Sequence, residues 1–299
     1  MNRKEFGELL SALRQDMGWT QFQLAEYSGI DDAVISQMER GVKKFFEPDQ
    51  LFCLANAFQL TTLERREFIF AASGLDENQI VRQPSALMST DGFNSKKILD
   101  RLIVLAGQIR LPAFITDVYG DVLAANYMML AFYNVPTAMI ETAAKIPGGY
   151  NIVRLNFGRD LLARKQVTDN WDSYALNSMR AYRENSLRYR AHPYLKYLMK
   201  AFHNPVEYPF FNRFWKLVSS TEQDKEVNID HFSYFHSIFG QVNYVAATTL
   251  AVTSFGNLFL IQNLPLDQHT EDVFTQLKLQ AGLGVVPFAP WPEKPMPAG

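Results

Sequence analysis

The stretch at residues 20–41, TQFQLAEYSGIDDAVISQMERG, most constrains what this chain can fold into. Thr20 can accept a hydrogen bond at a helix start, and Gln23, three residues on, can return one, which is the pattern of a capping box. The Ser-Gly-Ile sequence that follows favours a turn, and one of the next two aspartates can cap a second helix, which a glycine ends. The stretch therefore predicts two short helices joined by a tight turn.

The second of these helices has two unlike faces. At about 100° per residue, Val34, Ile35 and Met38 fall on one arc, which predicts a packed face. The opposite arc is short and polar, and it carries Asp32, Ala33, Ser36, Gln37 and Arg40. Such a face suits the major groove of DNA, where Gln can pair with adenine and Ala can contact a thymine methyl group. An ordinary helical hairpin is the alternative, because two antiparallel helices with one polar face are common.

The runs T-Q-x-x-L-A, G-I and I-S-x-M-E-R-G within residues 20–41 resemble, position by position, the Xre/Cro-type helix-turn-helix of bacterial and phage regulators. The resemblance implies that residues 32, 33, 36 and 37 contact bases, that Gln21 contacts a phosphate, and that Arg40, Lys43 and Lys44 contact the DNA backbone. It also implies that Arg14 and Glu39 form an ion pair with a structural role. The predicted DNA-binding residues are Thr20, Gln21, Asp32, Ala33, Ser36, Gln37, Arg40, Lys43 and Lys44.

The charge of this region is unusual for a DNA-binding domain. Residues 1–74 contain eight Lys/Arg against eleven Asp/Glu, whereas a surface that binds double-stranded DNA is usually basic. Asp32, on the polar face predicted to read DNA, would repel phosphate and could accept a hydrogen bond only from a base such as cytosine. We therefore expect weak non-specific affinity and a homodimer that reads two half-sites.

Apolar periodicity predicts five helices within residues 1–74, hence an all-α helix-turn-helix domain. Residues 75–95 lose this periodicity and are rich in Pro, Ser, Asn, Asp and Gly, which predicts a linker. Cys53 lies in the apolar run LFCLANAF and is expected to be buried in a reducing cytoplasm. The charged, amphipathic start and the lack of an 18-residue apolar run predict a cytoplasmic protein with no signal peptide and no membrane partner.

The pattern changes in residues 96–283. Two short β-type runs flank Tyr119-Gly120, residues 151–218 read as helical, and three β-type runs lie between 228 and 264. Alternate residues from Val242 to Val252 share one face of the middle run, and we expect that face to be buried. A helix at about 270–280 follows, then a proline-rich tail at 284–299. This is an α+β domain with a five-stranded antiparallel sheet and a helical insert, the strand count and order of a PAS fold.

Four segments, PAFITDVYGDVLAAN, ALNSMRAYRE, FFNRFWKLVSS and HSIFGQVNYVAATTLAV, resemble the MmyB-like ligand-binding domain that follows Xre-type helix-turn-helix domains. The resemblance implies a transcription regulator with a PAS-like module that binds a small-molecule effector. The family usually has a His-Pro pair before the glycine of its second hairpin, whereas here His236 is followed by Ser237.

No pattern in the sequence indicates catalysis. The GxSxG, GxxxxGK[ST] and GxGxxG motifs do not occur, and His231 and His236 are expected on opposite faces of a strand. We predict no catalytic residue, no metal and no cofactor besides a bound ligand, so the chain is not expected to be an enzyme. The alternatives are a dimerisation or interaction platform that senses nothing, and an enzyme with a DNA-binding domain.

The aromatic content, 13% of the chain, suggests where an effector binds. Ligand pockets are mostly apolar with a few polar anchors, so we expect an apolar, fatty-acid-like ligand, although aromatic residues often form plain core. Residues 154–200 hold ten Lys/Arg against four Asp/Glu, which form a solvated face, contact a second subunit or anchor an acidic headgroup. The predicted ligand-binding residues are Phe114, Phe132, Tyr133, Arg180, Phe210, Phe211, Phe214, Trp215 and Tyr244.

Overall fold

The computed structural model describes residues 1–74, 95–143, 148–159, 167, 171–220 and 232–296. The chain forms two compact units, and neither is one continuous segment. The first unit comprises Met1–Gly92, Arg183–Tyr197 and Lys216–Lys225; the second comprises Phe93–Tyr182, Leu198–Trp215 and Glu226–Gly299. The predicted linker lies outside the described residues except for Ser95.

Residues 1–74 form the five predicted helices. They are α1 (Arg3–Asp16), α2 (Gln21–Ser28), α3 (Asp32–Glu39), α4 (Pro48–Ala57) and α5 (Thr62–Ser73). Capping explains several of the boundaries, because Thr20 and Gln23 form the predicted capping box and Asp31 caps α3 by accepting from the backbone N–H of Ala33. Gly29 adopts φ +67° at the end of α2, a left-handed conformation that glycine adopts without steric cost.

The core of this first unit forms where the helices cross. Phe6, Leu24, Ile35 and Phe68 are fully buried in one cluster. Cys53, in contrast, is exposed, so its predicted burial is wrong. The reason is helical phase: the buried residues of α4 are Leu51, Leu54 and Ala55, and residue 53 lies on the other side of the helix.

The rest of the described chain is α+β. Its elements are α6 (Ser95–Gln108), β1 (Ala113–Asp117), β2 (Val122–Asn126), α7 (Tyr127–Phe132), α8 (Thr137–Ala143), α9 (Ile152–Phe157), α10 (Trp171–Ser186), a 3-10 turn (Leu187–Tyr189), α11 (Pro193–Phe202), α12 (Phe211–Ser220), β3 (Phe232–His236), β4 (Gly240–Ala251), β5 (Leu258–Pro265), α13 (Gln268–Ala281) and β6 (Val285–Pro287). Helices α10, α11 and α12 each contribute residues to both units.

Within the described residues the second unit has a six-stranded antiparallel sheet in the order β3-β4-β5-β1-β2-β6. The prediction of an antiparallel sheet with helices is confirmed, with one strand more than expected. The additional strand, β6, pairs with β2 through Val285, Val286 and Pro287. These residues lie in the segment predicted to be an irregular tail, where the high proline content concealed a short edge strand.

The predicted burial of one whole face of β4 is wrong in its second half. Val242 and Tyr244 are buried against α13, in a cluster with Val273 and Phe274. Thr248, Leu250 and Val252 are exposed, Leu250 by 53%. Among the described residues β4 pairs with β3 only from Gly240 to Tyr244, and the β4 residues buried with those of α13 come from this same part of the strand. An alternating pattern identifies a face, but it does not tell how far that face is covered.

Candidate DNA-binding and ligand-binding sites

The polar face of α3 is open to solvent. Asp32, Ala33, Gln37 and Arg40 are exposed, and Ser36 is half-buried. On the other side of the helix Ile35 and Met38 are completely buried, so this face is fixed in orientation by the core. The predicted base-reading residues therefore lie together on one accessible helix surface.

A bidentate ion pair holds the end of this helix. Arg14 of α1 donates from Nε to Glu39 Oε1 at 2.6 Å and from a terminal nitrogen to Glu39 Oε2 at 3.0 Å. It also donates to the backbone carbonyl of Trp19 at 2.7 Å. Bidentate arginine-carboxylate pairs fix geometry as well as charge, so Glu39 has the structural role that the helix-turn-helix resemblance implied.

Gln21 lies at the same ion pair. Its side-chain amide donates to Glu39 Oε2 at 2.7 Å, at the first residue of α2. The pair thus joins α1, α2 and α3 at one point. Contact of Gln21 with a phosphate remains a prediction, and it would require this amide to share its donors between Glu39 and DNA.

The residues predicted to contact the DNA backbone lie at the end of α3 and just after it. Arg40 and Lys44 are exposed, and Lys43 is half-buried. The backbone N–H groups of Val42 and Lys43 donate to the carbonyl of Gln37, which fixes this turn at the end of the helix. Thr20, the remaining predicted contact, is exposed at the cap of α2.

A second set of ion pairs connects α5 with a distant part of the sequence. Arg183 donates from Nε to Glu64 Oε1 at 3.0 Å and from a terminal nitrogen to Glu64 Oε2 at 2.8 Å. Both side chains are almost fully buried, at 5% and 1% exposure. Glu64 Oε2 also accepts the backbone N–H of Thr61, whose hydroxyl donates to Glu184. One carboxylate therefore caps α5 and binds the last turn of α10.

The neighbouring residues strengthen this connection. Arg190, whose side chain is 1% exposed, contacts Asp16 at the end of α1 at 3.2 Å. Arg188 contacts Glu67 of α5 at 3.1 Å, and Leu187 is completely buried in the same core cluster as Phe6. Residues 183–190 are thus integrated into the first unit by charge pairs and by apolar packing.

No sequence motif predicted these ion pairs, but the distribution of charge along the chain indicated them. Residues 1–74 have eleven Asp/Glu against eight Lys/Arg, and residues 154–200 have the opposite surplus, ten Lys/Arg against four Asp/Glu. Asp16, Glu64 and Glu67 each face an arginine of the second region. The acidic character of the helix-turn-helix domain is therefore partly neutralised by residues from elsewhere in the chain.

The predicted ligand-binding residues fall into several aromatic groups. Phe132 is completely buried beneath the sheet, with its ring 4.8 Å from that of Tyr133, 4.9 Å from Tyr234, 5.7 Å from Tyr244 and 5.6 Å from Phe274. Three predicted residues are therefore brought together at this place.

A second group lies in the helical insert. Phe211 and Phe214 are fully buried and Trp215 is nearly so, and the ring of Phe157 lies 5.8 Å from that of Phe214. A series of ring contacts joins the two groups, running from Tyr244 to Phe232 at 5.5 Å, to Tyr174 at 5.3 Å, to Trp171 at 5.9 Å and to Phe157 at 6.3 Å.

Three predicted ligand-binding residues are outside these groups. Phe114 is half-buried on β1, against the cluster that contains Val122 and Tyr150. Phe210 is half-buried just before α12, and Arg180 is half-buried on α10. Within the described residues Arg180 forms no ion pair and no hydrogen bond, in contrast to Arg183 one turn later.

Tyrosine hydroxyl groups line the region between the aromatic groups. The hydroxyls of Tyr133 and Tyr244 are 2.8 Å apart, and the hydroxyl of Tyr174 donates to Asn156 at 2.8 Å. Burial raises the pKa of Tyr174 and of Tyr234 to about 12, and it raises the pKa of Tyr133 and of Tyr244 further. All four hydroxyls are therefore neutral and can donate hydrogen bonds at physiological pH.

Two buried polar groups in this region have no hydrogen-bond partner among the residues that the structure describes. The Tyr234 hydroxyl and the amide nitrogen of Asn263 are buried without a hydrogen bond to any described residue, although the Asn263 amide faces the Tyr133 hydroxyl. Tyr234 is 2% exposed and Asn263 is 3% exposed. Because an unsatisfied buried donor is costly, such groups indicate either enclosed water or the polar end of a ligand. Sequence reasoning missed both residues, since neither stands in a recognisable motif.

A buried charge cluster lies at the β1–β2 hairpin. The ammonium group of Lys294 is 2.5 Å from Asp117 Oδ2 and 2.8 Å from Asp121 Oδ2, and it lies over the ring of Tyr119. Burial raises the pKa of Asp117 to about 6 against the lowering effect of Lys294. Burial alone would lower the pKa of Lys294, but the two carboxylates outweigh this effect and raise it. This cluster anchors the segment after β6 to the sheet.

Two further structural findings concern the described residues. Among them, no group of three or more His, Cys, Asp or Glu side chains could hold a metal ion. The described helices also include none long and apolar enough to cross a membrane.

Together, the helix-turn-helix with its exposed reading face and the antiparallel sheet with its helical insert define a DNA-binding transcription regulator that has a ligand-binding domain. Residues 10–64 match the helix-turn-helix family, and residues 101–277 match the MmyB-like transcription regulator ligand binding domain. The second match covers more than half of the chain, so the chain belongs to this MmyB-like family. No curated protein matches it.

Proposed function

We propose that this protein binds a specific DNA sequence as a homodimer and that a small apolar molecule, fatty-acid-like in shape, controls the binding. The observation that carries the DNA-binding part is the exposed polar face of α3, fixed by the partly buried pair of Arg14 and Glu39. Asp32, Ser36 and Gln37 on this face carry hydrogen-bond donors and acceptors that can pair with the edges of some bases and not of others. We also propose that the protein acts in the cytoplasm and has no catalytic activity.

The apolar ligand is supported by the aromatic groups of the second unit. Large apolar side chains surround a small number of buried hydroxyl and amide groups, which is the usual composition of a ligand site. Burial of each methylene contributes about 0.8 kcal/mol, so an alkyl chain can bind tightly without a charged partner. Tyr234 and Asn263 are the buried donors for its polar end, and Arg180 is the cationic alternative.

The homodimer is supported by the size and charge of the reading surface. One eight-residue helix reaches only a few base pairs, and the acidic surplus of residues 1–74 weakens attraction to phosphate. Two copies on half-sites about one helical turn apart, roughly 34 Å, would double the number of contacts.

The DNA-binding proposal is tested by selection from a random duplex library with the full-length protein. We expect an enriched, two-fold symmetric sequence with half-sites separated by one turn or a multiple of it. Sedimentation of the complex should give two chains per duplex. Enrichment of a single short half-site by one chain would contradict the dimer and leave the reading face intact.

The ligand proposal is tested by native mass spectrometry of the full-length protein with dodecanoate, dodecanol and the hydrocarbon dodecane as probes. We expect one dodecanoate per chain, with weaker binding of the other two. Tyr234→Phe and Arg180→Gln separate the two candidate anchors, because only the variant that removes the true anchor should lose the preference for dodecanoate. If none of the three probes binds, an aliphatic ligand is excluded and a chemically different effector must be sought.

A further inference from the structure

We infer that the Arg183–Tyr197 segment, which the family match assigns to the ligand-binding domain, is the element that transmits a change in the second unit to the DNA-reading helix. The inference rests on the proposed function only in taking a ligand as the natural source of that change. The structural part stands on contacts within the first unit and on the continuity of helix α10.

The first step is the location of this segment. Helix α10 runs without interruption from Trp171 to Ser186, and its residues up to Tyr182 belong to the second unit. Its last four residues, from Arg183 onward, belong to the first unit, as do the 3-10 turn and the residues up to Tyr197. An α-helix is hydrogen-bonded along its whole length, so a rotation or shift at its start is carried to its last turn.

The second step is the strength of the attachment. Arg183 and Glu64 form a bidentate pair with both side chains almost fully buried, and Arg190 lies 4.0 Å from the same carboxylate. Separation of a buried pair leaves an uncompensated buried charge and is strongly unfavourable. The carbonyl of Arg183 also accepts a hydrogen bond from Arg190, so the two arginines form one connected group. The two arginines therefore either move together with α5 or separate from it.

The third step is the path to the reading helix. Arg190 contacts Asp16, the last residue of α1. Two residues earlier on the same helix, Arg14 holds Glu39 at the end of α3. A displacement of Arg190 would therefore act on the end of α1 that positions α3. The path consists of two ion pairs, Arg190 with Asp16 and Arg14 with Glu39. Asp16 and Arg14 lie half a helical turn apart on α1, with no loop between them.

Hydrogen exchange of the full-length protein, followed by mass spectrometry of peptides from α1 and α3, tests this inference without a ligand. Phe132→Leu disturbs the core of the second unit, and Arg190→Gln breaks the contact with Asp16. We expect Phe132→Leu to accelerate exchange in α1 and α3 by about 5-fold or more, the lower end of usual coupling between sites. In the Arg190→Gln background the same substitution should change exchange by less than about 2-fold.

Two controls keep the result interpretable. Lys196→Gln removes a positive charge from an exposed residue of the same segment and should leave exchange in α1 unchanged. Val242→Ala, at a fully buried residue of β4, replaces Phe132→Leu if that variant does not fold. Equal and additive acceleration in both backgrounds would overturn the inference, as would an Arg190→Gln protein indistinguishable from Lys196→Gln.

A second readout uses dodecanoate and the operator from the library selection. We expect dodecanoate to change the affinity of the wild-type protein for this DNA and to have no such effect in Arg190→Gln, which still binds dodecanoate. An unchanged effect in Arg190→Gln would place the coupling elsewhere. Failure of dodecanoate to bind would contradict the proposed ligand alone, since the exchange experiment decides the inference independently.

Discussion

Gln37 is the residue that we expect to contribute most clearly to discrimination between DNA sequences. It is exposed on α3, its side chain can make a bidentate contact with adenine, and each such contact contributes about 1–3 kcal/mol of discrimination. Gln37→Ala should therefore reduce affinity for the selected operator and leave affinity for random DNA nearly unchanged. Competition binding at one salt concentration measures the ratio.

Lys44→Ala provides the contrasting case. An exposed lysine that contacts phosphate contributes equally to all sequences, so operator and random DNA should lose affinity together. The dependence on salt should also become shallower by about one unit in the log-log slope. Equal losses from Gln37→Ala on both DNAs would remove this residue from the reading face.

The pKa of Asp117 predicts a pH dependence of stability. Burial raises this pKa to about 6 in the folded state, whereas an unfolded aspartate has a pKa of about 4. The folded protein therefore keeps a proton that the unfolded chain releases, and the stabilising contribution is lost as pH rises from about 4 to about 6. The loss should be on the order of 1–3 kcal/mol.

Asp117→Asn keeps an oxygen that can accept the backbone N–H groups of Tyr119 and Asp121, but it cannot titrate. In urea unfolding, the wild-type protein should lose stability relative to this variant between pH 4 and pH 6 and not above. Parallel stability curves would show that Asp117 holds no extra proton in the folded state.

Lys294→Met should be far more damaging. It leaves the carboxylates of Asp117 and Asp121 buried without their cation, which typically costs about 3–5 kcal/mol. Lys200→Met, at an exposed lysine of the same unit, serves as the control and should change the free energy of unfolding by less than about 0.5 kcal/mol.

Among the elements, α1 approaches the end of α3 unusually closely. A Cβ atom at Gly7 would lie 2.3 Å from the carbonyl oxygen of Glu39 and 2.6 Å from that of Met38. Gly7→Ala should therefore force the two helices apart and destabilise the first unit by about 1–3 kcal/mol, as overpacking does. Helix propensity alone would favour alanine, so a stabilised variant in thermal unfolding would contradict the observed packing.

The helices were predictable where their ends are encoded locally. Thr20, Thr61 and Pro48 mark helix starts through side-chain caps and a fixed φ angle, and Gly74 ends α5 in a left-handed conformation. The exposed half of β4 and the strand β6 were not predictable in the same way. Their burial and pairing depend on which distant elements lie beside them, and alternation along one strand contains no such information.

At the scale of the whole molecule, the candidate sites were predictable to different degrees. The DNA-reading face follows from one amphipathic helix, so residues such as Gln37 could be assigned from spacing. The ligand site depends on side chains from several strands and helices, and the structure divides the predicted set among separate aromatic groups. The pairing of Arg183 with Glu64 joins residues 119 apart in sequence, and only a charge imbalance between regions suggested it.

The core of the first unit contains a residue from a distant part of the sequence, which leads to a prediction about stability. Leu187 is completely buried there, although it follows the helix-turn-helix by more than a hundred residues. Leu187→Ala should destabilise the helix-turn-helix by about 2–5 kcal/mol, measured as faster hydrogen exchange in α1 and α5. Leu279→Ala, at a leucine 80% exposed on α13, should have almost no effect. Equal effects of the two variants would mean that Leu187 is not part of this core.

The pairing of Glu64 with Arg183 also has a consequence for the protein during its own synthesis. The ribosome makes α1 to α5 first, but it must add residues 75–182 before Arg183 exists. At about 5–20 residues per second, the wait lasts roughly 5–20 s. During that time Glu64 has no arginine partner and the site of Leu187 is empty, so the nascent chain carries an incomplete DNA-binding unit. A newly made chain can therefore complete that unit only after most of its ligand-binding domain has been translated.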